Sequence, residues 1–94
     1  MDWLILIDHI AEPGERKVSG YGKRTSGEQD LLVAMPYEFQ ILDGDDILYY
    51  SGICGDLSQA DELEAFEPLD WAADFAGATT FQYRKRGDKQ WQIL

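Results

Sequence analysis

Tyr37-Glu38-Phe39-Gln40-Ile41-Leu42-Asp43-Gly44-Asp45-Asp46-Ile47-Leu48-Tyr49-Tyr50-Ser51 is the stretch that decides the fold. From 37 to 42 apolar and polar residues alternate, which places Tyr37, Phe39 and Ile41 on one face of a strand. Asp43 to Asp46 breaks the alternation, and Ile47 to Ser51 resumes a β-favouring run. An Asp-Gly pair between two such runs predicts a β-hairpin. Leu31 to Met35 reads as a short strand leading into it, with Pro36 limiting its pairing.

Working outward, Trp3 to Ile10 reads as a first strand, and its Leu4-Ile5-Leu6-Ile7 centre is apolar on both faces, the pattern of a strand covered on two sides. Glu12-Pro13-Gly14-Glu15 ends it. Arg16 to Asp30 is polar and glycine-rich, a long loop with a short extended piece around Val18 to Tyr21. Beyond the hairpin, Ser58 to Phe66 departs from period two. Ser58 is its candidate N-cap, Asp61 and Glu62 suit the positive end of a helix, and Leu57, Leu63 and Phe66 would form the apolar side. A second helical turn is expected over Leu69 to Phe75. Thr79 to Arg86 and Gln90 to Ile93, joined at Gly87-Asp88, predict a second hairpin with Phe81, Tyr83, Trp91 and Ile93 turned inward.

The expected fold is therefore mainly β, a β-dominated α+β domain. It comprises a small antiparallel sheet or partly closed barrel of about five or six strands, with one or two short helical segments between residues 58 and 76. A chain of 94 residues has room for one core, so residues 1–94 are read as a single domain. Hydrophobic residues make up 45% and aromatic residues 13%, enough to fill that core and too many for a disordered acidic segment. Cys54 is the sole cysteine, so no intrachain disulfide can staple the domain. The apolar start has no basic residues ahead of it and no small-residue cleavage site after it, and no run is long enough to span a membrane. The expected setting is the cytoplasm.

Charge is the most informative feature. Asp and Glu number 18 against 8 Lys and Arg, for a formal net charge of −10. The cations fall in two groups, Arg16, Lys17, Lys23 and Arg24, then Arg84, Lys85, Arg86 and Lys89, and none lies between Thr25 and Tyr83. Direct binding to nucleic acid depends on clustered Lys and Arg against phosphates, and this balance argues against it. It favours a basic protein as partner, met through Asp43, Asp45, Asp46, Asp61, Glu62, Glu64, Glu67, Asp70 and Asp74. One version is an inhibitor that imitates the DNA backbone. The plainer alternative is a solvated acidic face that serves solubility. The cationic tip at 84–89 could also pair with carboxylates of a second copy, so self-association is a further expectation.

Catalytic signals are thin, and no enzymatic role is expected. His9 is the only histidine and could meet Cys54 in space, but a small buried hydrophobe is the simpler role for Cys54. Gly20-Tyr21-Gly22-Lys23-Arg24 falls short of a phosphate loop, with Lys17 where the first glycine belongs and Arg24 where Ser or Thr is needed. Asp43-Gly44-Asp45-Asp46 offers hard oxygen ligands to Ca²⁺ or Mg²⁺. Counted as a helix–loop–helix calcium loop, however, it has Leu48 at the glycine position and Cys54 at the terminal glutamate position. No cofactor is expected. The alternative function is a small-ligand or divalent-metal-binding domain with the glycine-rich loop as a lid.

Met35-Pro36-Tyr37-Glu38-Phe39, Leu48-Tyr49-Tyr50-Ser51-Gly52, Pro68-Leu69-Asp70 and Gln82-Tyr83-Arg84 together resemble a group of small uncharacterised bacterial proteins, some of them plasmid-related. The resemblance covers Trp3 to the C-terminus and implies a bacterial setting, with no activity, cofactor or site.

Overall fold

The computed structural model describes residues 2–10, 21–23, 34–57 and 60–94. Among these residues six strands, β1 (Trp3–Asp8), β2 (Tyr21–Lys23), β3 (Tyr37–Leu42), β4 (Leu48–Cys54), β5 (Thr80–Lys85) and β6 (Gln92–Ile93), form one sheet in the order β2-β1-β4-β3-β5-β6. Every neighbouring pair is antiparallel. A helix, α1 (Glu62–Ala76), joins β4 to β5. Because β3 lies between those two strands, the unit is a crossover with one strand inserted in its middle. The mainly β expectation holds. Of its two forms the open sheet is the one found and the partly closed barrel is not, since among the described residues β2 and β6 end the sheet as unjoined edges. Among the described residues no helix is long and apolar enough to cross a membrane.

The β3–β4 hairpin forms as its alternation predicts. Tyr37, Phe39 and Ile41 pair with Cys54, Gly52 and Tyr50 on one side and with Lys85, Tyr83 and Phe81 on the other. Directly paired residues share a face, so this register stacks the aromatic side chains on the side that faces α1. Phe39 and Phe81 stack at 5.3 Å, and both are buried. Trp71 of α1 packs between Tyr50 at 4.9 Å and Trp3 at 6.2 Å. Ile5, Ile41, Cys54, Ala72 and Ala78 complete the core.

One or two short helical segments were expected between residues 58 and 76, and the described residues there form one helix of 15 residues. Pro68 lies inside it, although proline removes a backbone donor and crowds the preceding turn. Here Pro68 is one of the largest fully buried side chains, in line with buried Ala65 and Ala72 at helical spacing. Packing against the sheet offsets the lost hydrogen bond. The N-cap is Asp61, whose Oδ1 accepts from the Glu64 N–H at 2.8 Å, while Ser58 lies outside the described residues. Leu63, expected on the apolar side, is 83% exposed on the outer side.

Gly77 ends the helix in the left-handed region at φ 71°, and its N–H donates to Ala73 O at 3.0 Å. Nothing lies within 4 Å of where its Cβ would stand, so a Gly77→Ala change carries a purely conformational penalty. We expect a loss of about 1 kcal/mol in urea denaturation, the usual cost of an alanine in that region. A loss near zero would mean that the cap does not hold the helix end.

Other departures have local causes. In β1 the pairing with β4 shifts between Ile5 and Ile7, so this strand bulges. Leu4 and Leu6 are half-buried and Ile7 is 39% exposed, so the face away from α1 is less covered than the apolar run implied. Ile93 was expected inward and is 72% exposed, because β6 is a two-residue edge strand that pairs with Gln82 and Tyr83 across a long loop. The expected strand over Leu31 to Met35 lies largely outside the described residues, as do most of the long loop and its cations Arg16, Lys17 and Arg24; of the two residues described, Ala34 is helical and buried Met35 precedes β3 without joining the sheet, so neither extends a strand.

Candidate functional site

The hairpin loop is built around Asp43. Its Oδ1 accepts from the N–H groups of Asp45 at 2.8 Å and Ile47 at 2.9 Å, and its Oδ2 accepts from the Tyr49 hydroxyl at 3.3 Å. These bonds favour the ionised carboxylate, led by the one from Ile47, and hold Asp43 below its ordinary pKa; the same carboxylate raises Tyr49 above its own, after desolvation. Asp43 thus works inside the turn. Asp46 sits at φ 62°, the left-handed third position of a three-residue hairpin loop, and Asp45, Asp46 and Ile47 project into solvent.

This loop shares one end of the molecule with the C-terminal end of α1. The Thr79 N–H donates to Leu42 O at 3.0 Å, and Leu42 pairs with Thr80 as β5 begins. Exposed Asp74 lies one turn before the Gly77 cap, with Asp70 a turn earlier on the same side. Asp45, Asp46 and Asp74 therefore lie toward a common pole, with Ile47 exposed by 54% beside Asp46, while Asp70 stands at the middle of α1, about 6 Å from Asp74 along the helix. The described cations are elsewhere. Lys85 pairs with Tyr37 at the far end of β3, roughly 17 Å away at about 3.3 Å per residue; Arg84 and Arg86 flank it in sequence, and Lys89 follows in the loop beyond. That separation exceeds the physiological screening length of about 8 Å, so these cations do not neutralise the pole.

The remaining sequence-picked carboxylates do not join it. Asp61, Glu62 and Glu64 occupy the N-terminal turn of α1, about 20 Å from Asp74 at 1.5 Å per residue, where they complement the helix dipole. Glu67 is half-buried midway along the helix. The acidic middle of the chain is divided between two ends, and only one of those ends is free of described lysine and arginine.

Cys54 and His9 are not brought together. Cys54 faces Trp3 at one end of β4, while the His9 N–H bonds Tyr49 O at the other, at 2.9 Å. Burial pushes the Cys54 thiol up to about 12, which keeps it protonated at neutral pH and removes the thiolate a nucleophile would need. His9 Nε2 instead lies 2.7 Å from Ser51 Oγ and ties the end of β1 to β4. Among the described residues no three His, Cys, Asp or Glu side chains are grouped to hold a metal ion.

Sequence reasoning missed a second feature, on the sheet face away from α1. A concavity of about 290 Å³ is lined there by Leu6, Ile7, Ile53, Gln40, Ser51 and Trp91, with Glu38, Arg84 and Arg86 at its edge. The Arg84 Nε and Nη2 atoms both lie 2.9 Å from Glu38 Oε2, and Arg84 stacks over the Trp91 ring at 4.3 Å. Gln40 donates to Gln82 across the strands at 2.6 Å. The alternation of β3 and β5 does place Glu38, Gln40, Gln82 and Arg84 on this face. The part no local pattern announces is the loop return that brings Trp91 over it. No family model, no curated protein and no solved structure matches this chain.

Proposed function

We propose that the protein is a non-enzymatic docking module that binds a basic protein surface through its anionic pole. Asp45, Asp46 and Asp74 supply the charge and Ile47 the apolar anchor. The observation that carries this reading is the position of Asp74. A helix C-terminus disfavours negative charge, and the last turn of α1 has no basic residue to offset it. A carboxylate held where it weakens its own helix fits a surface shaped for a partner.

The test joins binding to stability. Asp74→Lys is expected to raise stability by about 0.5 kcal/mol, through the helix dipole and relief of repulsion, and to weaken binding to a basic partner. The combined Asp45→Asn, Asp46→Asn and Asp74→Asn variant should keep its circular dichroism spectrum and lose retention on immobilised basic DNA-binding proteins at 150 mM salt. Adding duplex DNA to the wild-type complexes reports whether the occupied surface is the one that meets nucleic acid. Retention equal to that of wild type in the triple variant, across the salt range, would refute the reading.

A further inference from the structure

The groove on the face away from α1 is independent of the anionic pole and has a different chemistry. Its floor owes its shape to the bulge in β1. The pairing passes from Ile5 opposite Gly52 to Ile7 opposite Ser51, so one residue of β1 is extra to the ladder. Leu6 and Ile7 consequently both line the groove, beside Ile53 from β4. Trp91 forms a wall of the groove, and the Arg84 guanidinium lies over its ring at 4.3 Å.

The edge carries the charge. Among the described residues Glu38 is the one carboxylate paired with both guanidiniums, with Arg84 Nη2 at 2.9 Å and Arg86 Nη1 at 4.0 Å. Arg86 also donates to Met35 O at 3.1 Å, which fixes it beside the groove. Glu38, Arg84 and Arg86 thus bear a net charge of +1 together in a chain of net charge −10. A guanidinium has five N–H donors in a planar fork, and Glu38 engages only part of the two forks. An apolar floor next to a net single positive charge fits a ligand with an apolar body and one anionic, planar head group. At about 290 Å³ the groove is at the small end of ligand sites.

We propose that this groove binds a small monocarboxylic acid, its carboxylate taken by Arg84 and Arg86 and its apolar body laid on Leu6, Ile7 and Ile53 against Trp91. Sodium octanoate is the probe, titrated into ¹⁵N-labelled protein while the Trp91 indole N–H, the Arg84 Nε–H and the Gln40 and Gln82 side-chain amides are followed by NMR. Saturable shifts at these groups are expected, with affinity at least tenfold weaker for octylammonium chloride, which keeps the body and reverses the head, and for sodium acetate, which keeps the head alone. Arg86→Ala changes a partly exposed side chain and should lower octanoate affinity five- to tenfold with the fold intact. The triple Asn variant of the anionic pole should bind octanoate as wild type does, which separates this result from failure of the docking reading. Absence of saturable shifts, equal binding of octylammonium, or shifts confined to the α1 side would overturn the proposal. So would shifts that follow protein concentration without probe, which would assign the groove to a second copy's acidic segment.

Discussion

Gly52→Ala is expected to leave no cooperatively folded protein. Gly52 lies at the centre of β4, opposite Ile5 on one side and Phe39 on the other. A Cβ built there would collide with the Leu4 carbonyl oxygen and stand 2.6 and 2.9 Å from carbons of the Phe39 ring. The first obstacle is backbone held in the β1–β4 ladder, and the second is a fully buried aromatic ring already stacked on Phe81. Neither can yield without repacking the centre of the sheet. Overpacking usually costs about 1–3 kcal/mol; with ladder and ring both blocked, we expect more than about 4 kcal/mol. A domain of 94 residues sits at the low end of the usual range, about 5 kcal/mol, so little or none would remain. Far-UV circular dichroism and urea titration give the readout. Gly44→Ala is the control, since its nearest neighbour would be Thr79 Oγ1 at 3.9 Å, and it should stay within about 0.5 kcal/mol of wild type. A Gly52→Ala protein that melts within a few degrees of wild type would show that β1 and β4 do not pair in this register.

Gly52 also marks how far the sequence could be read. The alternation at 37–42 and the Asp-Gly turn are local signals, and they placed β3, β4 and the turn correctly because each residue's neighbours decide its conformation there. Ala65, Pro68 and Ala72 were harder. Proline argues locally for a break, and only the tertiary burial of its ring makes one continuous helix the better outcome. Leu63 and Ile93 went the other way, as aliphatic residues left exposed by the orientation of α1 and the shortness of β6. Asp43 was legible as a turn residue, but its capture of two backbone N–H groups, which withdraws it from the outward-facing acidic set, needs the loop geometry. The two poles of the acidic segment depend on α1 running back across the sheet, and a one-dimensional charge run carries no information about that direction. The groove is the extreme case. It draws on β1, β3, β4, β5 and the final loop at once, and the bulge that shapes its floor appears only when the strands pair.

Phe81→Ala should be the second most damaging single change, at about 3–5 kcal/mol. Phe81 is 1% exposed, stacks on Phe39 at 5.3 Å with an interplanar angle of 29°, and belongs to the same core cluster as Ala72 of α1. Its removal leaves a cavity beneath the crossover helix, and the rigid sheet below can refill only part of it. The Leu94 N–H bonds Phe81 O at 3.1 Å, so disturbance at this position also reaches the end of the chain. The urea midpoint should fall steeply with the slope unchanged, as for a native state that is destabilised and not rearranged. A cycle of Phe39→Leu, Phe81→Leu and the double variant isolates the ring–ring term, expected at about 0.5–1.5 kcal/mol beyond simple burial. Because α1 rests on this cluster while Asp70 and Asp74 project from its outer side, the mutation separates support from contact. A protein with Phe81→Leu that stays folded should retain binding to a basic partner, whereas the Asn variants of the anionic pole lose binding at full stability. A Phe81→Ala loss below about 1.5 kcal/mol would mean that the site collapses readily around the missing ring, and that α1 is held to the sheet mainly by Trp71, Tyr50 and Trp3.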